Sequence, residues 1–278
     1  MTTVHMVVPC YNEEKRLDRR RFLEFAAQHH DVRLTMVDDG SRDQTPAILQ
    51  ELQQQSHQRI QFLQCPENGG KSEAVRRGMR HVLETETGDI AVGFIDADLS
   101  APLESSLRLA SVLKNIPEVE IVFGSRFPLA GRNIQRHWAR KWLGFVFSSV
   151  ASSVIGLPLR DTQCGAKLFR VTPALRLALE QPFRSRWIFD VELLGRYLAN
   201  SYQLDARKAI YEFPLDQWRE IEGSKLKSTD FLRAIYELGN IAWDYHRGNY
   251  VVDAAVVKFP ETANEGHDVA ATDARKSA

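Results

Sequence analysis

The sequence predicts an α/β fold, a Rossmann-like, mostly parallel sheet flanked by helices in a single domain. Two observations carry this expectation. Short apolar runs rich in β-branched residues alternate with amphipathic stretches long enough to be helices, a pattern that fits parallel strands joined by right-handed crossovers. The first four apolar runs also each end in a polar cluster, and in open α/β sheets ligands gather at the carboxyl ends of the strands.

The first strand is His5–Val8, closed by Pro9 and followed by the loop Cys10-Tyr11-Asn12-Glu13-Glu14 and an amphipathic helix from Leu17 to Gln28. Val32–Val37 is the second, ended by Asp38-Asp39-Gly40-Ser41-Arg42-Asp43; Thr45-Pro46 then opens a helix through Gln55, with proline in its favoured first turn. Ile60–Gln64 is the third strand, and Pro66-Glu67-Asn68-Gly69-Gly70-Lys71-Ser72 leads into a helix from Glu73 to Glu84. Ile90–Ile95 is the fourth and ends in Asp96-Ala97-Asp98-Leu99-Ser100. A helix from Leu103 to Asn115 and a strand from Glu120 to Phe123 follow, the strand running into Gly124-Ser125-Arg126-Phe127.

The second half begins with a basic cluster, Arg132, Arg136, His137, Arg140 and Lys141, and an uncharged, aromatic-rich helix from Trp142 to Leu157. That helix reads either as core or as an interfacial helix whose Trp138, Trp142, Phe145 and Phe147 dip into lipid beside a basic collar; the expectation is contact without spanning. A polar loop, Leu159 to Cys164, leads to a short strand and a helix from Pro173 to Glu180. Asp190 and Glu192 sit near the start of a further helix, where the dipole favours acids, so a capping role alone would account for them. Ala209–Pro214 is the last strand, followed by a charged loop from Trp218 to Lys225 and a helix from Asp230 to Arg247. Residues 257–278 have too little apolar surface to order themselves.

Composition narrows the function classes. Lys+Arg and Asp+Glu are equal at 36 each, so no whole-chain field favours nucleic acid, and anion recognition has to be local. Cys10, Cys65 and Cys164 have no metal-ligand spacing and form no even framework, which fits buried thiols in a reducing compartment. The first residues contain no basic region followed by an apolar core, so the chain is expected to start directly with its first strand.

Asp96 and Asp98 are two residues apart at a strand end, so both side chains leave on the same side. They form either a solvated surface turn or a site for a hard divalent cation that also holds a phosphorylated substrate. Tyr11-Asn12-Glu13, Asp38-Asp39, Asn68 to Lys71 and Asp96/Asp98 fall at four successive strand ends, which suggests one pocket with acceptors for a base and ribose, a lysine and a metal. Asp161 and Gln163 share the same spacing, which would let both face one cavity.

The motifs Val8-Pro9-Cys10-Tyr11-Asn12-Glu13, Val37-Asp38-Asp39-Gly40-Ser41, Asn68-Gly69-Gly70-Lys71 and Asp96-Ala97-Asp98 resemble, in order and spacing, the nucleotide-sugar motifs of the inverting family 2 glycosyltransferases with a GT-A fold. Asp161-Thr162-Gln163-Cys164-Gly165-Ala166-Lys167-Leu168-Phe169, Arg186 to Leu194 and Trp218 to Leu226 resemble the dolichyl-phosphate β-glucosyltransferases and their polyprenyl-phosphate relatives. The similarity covers residues 4 to 245. It implies a GT-A domain over residues 1–250, with 1–125 mainly on the nucleotide-sugar side and 126–250 mainly on the acceptor side.

The resemblance further implies attack on the anomeric carbon of a nucleotide sugar, UDP-glucose or, as nearest competitor, GDP-mannose. Pro9, Tyr11, Asn12 and Glu13 would wall the base and Asp38 or Asp39 accept from base or ribose. Ala97 would line the donor, Lys71 share the diphosphate charge, and Asp96 and Asp98 hold Mg²⁺ or Mn²⁺. Asp98, Asp161 and Arg126 form the implied catalytic set, with Arg126, Arg140, Gln163, Arg219 and Lys225 guiding an acceptor phosphate. A polyprenyl phosphate needs no strong base, whereas a hydroxyl acceptor would need one, and Asp161 is then the candidate. A non-catalytic nucleotide-sugar binding module is the third reading. Ser100 stands where related mannosyltransferases carry glutamine, and the membrane anchors of many relatives have no counterpart in this chain, so a lipid acceptor is implied by motif. The expected location is cytoplasmic, peripheral to the cytoplasmic membrane face.

Overall fold

The computed structural model describes residues 2–135, 138–201, 204–221 and 228–252, the side chains at 138–143, 145–146 and 228–232 excepted. Strands and helices alternate as β1 (Thr3–Cys10), α1 (Arg19–Gln28), β2 (Val32–Asp38), α2 (Thr45–Gln55), β3 (Ile60–Gln64), α3 (Lys71–Thr85), β4 (Ile90–Ile95), α4 (Ser105–Asn115) and β5 (Ile121–Ser125). The second half adds β6 (Asn133–Gln135), α5 (Trp138–Ile155), β7 (Ala166–Arg170), α6 (Pro173–Glu180), α7 (Phe189–Ala199), α8 (Ala206–Ala209), β8 (Ile210–Pro214), β9 (Gln217–Arg219) and α9 (Ser228–His246).

Seven strands form one sheet in the order β3-β2-β1-β4-β7-β5-β8, all neighbours parallel except β7, which runs antiparallel to both β4 and β5. β6 and β9 pair separately, in parallel. The sheet is covered on both faces, so its strands are continuous apolar runs instead of alternating ones. On one face Val7, Phe94, Phe123, Phe169, Phe189 and Tyr197 pack together; on the other lie Met6, Phe22, Leu34, Met36, Ile95 and Leu168. Gly93 lets β7 approach β4: a Cβ there would lie 2.0 Å from the Lys167 carbonyl oxygen. Among the described residues no helix is long and apolar enough to cross a membrane.

Most boundaries match the sequence expectation within a few residues, and the differences have local causes. α1 starts at Arg19 because the Asp18 side chain accepts the Arg21 N–H and caps it. α5 begins at Trp138, earlier than expected, and its Phe147 is 5% exposed and packed in the core, which corrects the expectation that this ring meets lipid. The side chains of Trp138, Arg140, Lys141, Trp142 and Phe145 lie outside the described set, as do residues 136–137, Lys225 and the 257–278 tail. β9 replaces part of the expected charged loop, and Cys10, Cys65 and Cys164 are buried free thiols.

Candidate functional site

The carboxyl ends of β1, β2 and β4 and the amino end of α3 enclose a cleft of about 410 Å³. Pro9, Tyr11, Glu13, Asp39, Lys71, Asp96, Ala97 and Asp98 line it, which unites most of the expected donor set. Tyr11 is 41% exposed and so offers a free aromatic face. Asn12 shapes the loop instead: its backbone is left-handed (φ 53), its N–H donates to Ser41 Oγ at 2.9 Å and its Oδ1 accepts from Arg42 N at 2.9 Å. Glu13 Oε1 accepts from Arg16 Nη2 at 2.6 Å, while its buried Oε2 has no partner. Burial pushes the Glu13 carboxyl above its ordinary value, against the pull of Arg16.

Asp38 and Asp39 separate into two tasks. Asp38 is fully buried outside the cleft lining, where its carboxylate accepts from Ser41 N at 3.2 Å and closes the turn after β2. Asp39 faces the cleft and accepts from Gly69 N at 2.9 Å, Gly70 N at 2.8 Å and Asn68 Nδ2 at 2.9 Å. A carboxylate has about four lone-pair sites, so these three donors leave one for a ligand. Burial raises the Asp39 carboxyl despite the Gly69 and Gly70 donors. Gly40 is required at this turn: its φ is +68, and a Cβ would lie 2.7 Å from the Asn68 nitrogen.

Asp96 Oδ1 is buried, receives no well-aligned hydrogen bond and lies 2.5 Å from Lys71 Nζ. Burial would lower the Lys71 ammonium, but the carboxylates of Asp96, Asp190 and Asp98 outweigh it and hold the lysine above its usual value. The other Asp96 oxygen rests on Gly165, where a Cβ would lie 2.0 Å away. Leu99 turns the chain with a left-handed φ of 55, unusual for leucine, and this lets Ser100 N donate to Asp98 Oδ1 at 2.9 Å. Ser100 O in turn accepts from Arg219 N at 3.0 Å, which joins the carboxylate loop to β9.

Outside the cleft lining, Arg126 grips Asp161 as a fork, Nε to Oδ2 and Nη2 to Oδ1 at 2.7 Å each, and its N–H adds a third bond at 2.8 Å. Burial opposes the Arg126 charge, yet Asp161 raises its pKa above the usual arginine value. The guanidinium lies 5.5 Å from the Trp218 ring centroid. Glu212 holds the preceding loop by accepting from Arg160 N and Asp161 N at 2.8 and 2.7 Å. Gln163 is half-buried and Arg219 exposed, while the Arg140 side chain and Lys225 lie outside the described residues. Burial pushes the neighbouring Cys164 thiol up to about 11.

Three features went unseen in the sequence. Lys167 is 1% exposed; its Nζ donates to Cys164 O at 2.5 Å and pairs with Asp190 Oδ1 at 2.9 Å. Glu192, at the same helix start, accepts from Arg184 N and Ser185 N and pairs with Arg196 at 2.6 Å. These acids are therefore partners in buried networks, which corrects their reading as caps. The i, i+4 spacing of Glu192 and Arg196 was the available signal; the Lys167–Asp190 pair and the Gly165 cradle had none, since both depend on β7 lying between β4 and β5.

The cation fit rests on the donor set. Two hard carboxylates, Asp96 and Asp98, line the same cleft, and the buried Asp96 Oδ1 already attracts a cationic group. Among the described residues no cluster of three His, Cys, Asp or Glu side chains forms, so the remaining positions of a bound ion would fall to a ligand's phosphates and to water.

Residues 6–177 match the family model described as glycosyl transferase family 2. The dolichyl-phosphate beta-glucosyltransferase of Mus musculus is 35% identical over 80% of this chain and 68% of its own. One from Trichomonas vaginalis is 31% identical over 88% and 72%. Among solved structures, glucosyl-3-phosphoglycerate synthase from Mycobacterium tuberculosis in complex with uridine diphosphate superposes with a TM-score of 0.58 at 19% identity, covering 87% of this chain and 80% of that one. The same enzyme with Mn²⁺, UDP-glucose and phosphoglyceric acid gives 0.58 at 18%. At these identities the likeness shows the fold.

Proposed function

The chain belongs to glycosyl transferase family 2, and on that premise we propose that it transfers glucose from UDP-glucose, with inversion, to the phosphate of a dolichyl-type polyprenyl lipid. The observation that carries this reading is the Asp96, Asp98 and Lys71 cluster on the donor cleft, linked through Ser100 to the β9 strand of the acceptor-side motif. Relatives at 31–35% identity bear the name of that transfer.

Tyr11 and Pro9 supply an apolar wall for a base, and the remaining acceptor site of Asp39 suits a base or ribose donor. Asp96 and Asp98 would hold Mg²⁺ or Mn²⁺. When bound, such an ion supplies Lewis-acid neutralisation of a diphosphate leaving group. Lys71 adds a fixed positive charge beside it, and the first turn of α3 presents N–H groups behind Gly70, which has no capping side chain. Asp161 keeps the Arg126 guanidinium oriented, a geometry that supports anion guidance more than a free base at Asp161. A phosphate monoester acceptor is ionised near neutral pH, so this arrangement suffices for attack.

The test incubates the purified protein with radiolabelled UDP-glucose or GDP-mannose and either polyprenyl phosphate or free sugars, with Mn²⁺, Mg²⁺ or chelator. Label in the lipid phase from UDP-glucose, lost with chelator, is the expected result. Label entering only hydroxyl acceptors, or none at all, overturns it.

A further inference from the structure

α9 carries apolar residues on two opposite sides. Ala234, Leu238 and Ile241 are buried in the core. The outer side shows Tyr236 at 70% exposure, Trp243 at 59% and Ile235 at 50%, a stripe for which a helix in water alone has no use. Trp187, 42% exposed in the turn before α7, is a further exposed ring on a segment tied to α9, its backbone N–H lying 3.4 Å from the Glu237 carboxylate.

The charges are sorted as well. Both acids of the described part of α9 turn inward: Glu237 is 8% exposed and takes Ser185 Oγ at 2.5 Å, and Asp244 is 5% exposed and takes Asn249 Nδ2 at 2.8 Å. The cations face outward. Arg186 flanks Trp187, and Arg247 stands 4.2 Å over the Trp243 ring. Exposed tryptophan and tyrosine beside arginine, with carboxylates withdrawn, match the headgroup layer of an anionic bilayer.

We propose that the outer face of α9, together with the Trp187 turn, docks this protein on an anionic lipid surface. The proposal rests on the lipid-acceptor reading above and gives it an orientation. The Trp187 turn directly precedes α7, whose Asp190 forms a buried pair with Lys167 of β7, so the docking face and the central sheet are joined through one helix. Of the rings on α5 expected from sequence to meet lipid, Phe147 is in the core, and Trp138, Trp142 and Phe145 lie outside the described side chains.

The test sediments the full chain with vesicles of phosphatidylcholine alone or with about one third phosphatidylglycerol. Binding is expected to need the anionic lipid and to fade as salt shortens the Debye length. Tyr236→Gln/Trp243→Gln and, separately, Arg247→Glu should each weaken partitioning about tenfold with the thermal midpoint unchanged. The double variant should also lose transfer to a long-chain acceptor in vesicles while matching wild type on a short, water-soluble prenyl phosphate. Wild type that ignores anionic vesicles, variants that bind equally well, a dimer dissolved by the double substitution, or vesicle binding only after removal of residues 253–278 would each overturn the proposal. Vesicle binding through α9 without transfer to either acceptor would instead sink the catalytic reading and leave this one standing.

Discussion

Asp39, which lines the cleft, and Arg126, which does not, are held in different ways. Asp39 is fixed by main-chain N–H groups of Gly69 and Gly70, and Asp96 lies against the bare backbone of Gly165. Arg126 is fixed by the Asp161 carboxylate, and that loop by the Glu212 carboxylate. Around Asp39 and Asp96 the geometry therefore depends on glycine backbone that carries no Cβ, with Lys71 as the one paired charge, whereas around Arg126 it depends on paired charges throughout. The first is sensitive to added bulk, the second to the loss of one partner.

Removing a donor-side carboxylate tests the comparison most severely. Asp98→Ala should cut single-turnover transfer by about a thousandfold, the scale of losing a preorganised electrostatic group, with stability moved by no more than about 0.5 kcal/mol. Unchanged turnover would remove Asp98 from the site. On the acceptor side the order should reverse. Arg126→Met strands the Asp161 charge and should cost about 3 kcal/mol in denaturant unfolding, and Arg126→Met with Asp161→Leu should cost less than the single change. Additive losses would mean that the two groups do not act as a pair.

Gly165→Ala adds only a methyl group, yet it must push Asp96 aside. It should weaken metal-dependent nucleotide binding about 10- to 100-fold by calorimetry. Glu212→Gln is the gentlest probe. Burial raises the Glu212 carboxyl above its unfolded value, so the native state binds that proton more tightly. Its contribution to stability is present below the ordinary carboxylate range and falls as pH rises through the raised value. Unfolding curves across acid to neutral pH should lose that slope in the variant, the smallest of these effects.

The donor half was largely readable because parallel sheets bring strand ends to one edge, so motifs adjacent in the chain become neighbours in space. That logic located Tyr11, Asp39, Lys71, Asp96 and Asp98 in one cleft, though it did not separate Asp39 from the structural Asp38. It failed where contacts are long-range. Nothing around Lys167 announces a buried ammonium, because its partner Asp190 lies on another element. Nor does a chain of three residues ending in Arg219 read as a strand until β6 is beside it. The left-handed Leu99 was invisible for the opposite reason: leucine is a poor predictor of its own φ of 55.

The reversed strand β7 bears on how the protein is made. Among the described residues β5 pairs only with β7 and β8 within the sheet, and one edge of β4 pairs only with β7. A nascent chain that has reached Ser125 thus carries one strand with no partner and another with a bare edge, the kind of surface that invites mispairing. The sheet closes only after α5 has been synthesised. The stretches before and after Ser125 are in this sense not exchangeable cassettes: a graft of one second half onto another first half has to transplant an interior strand.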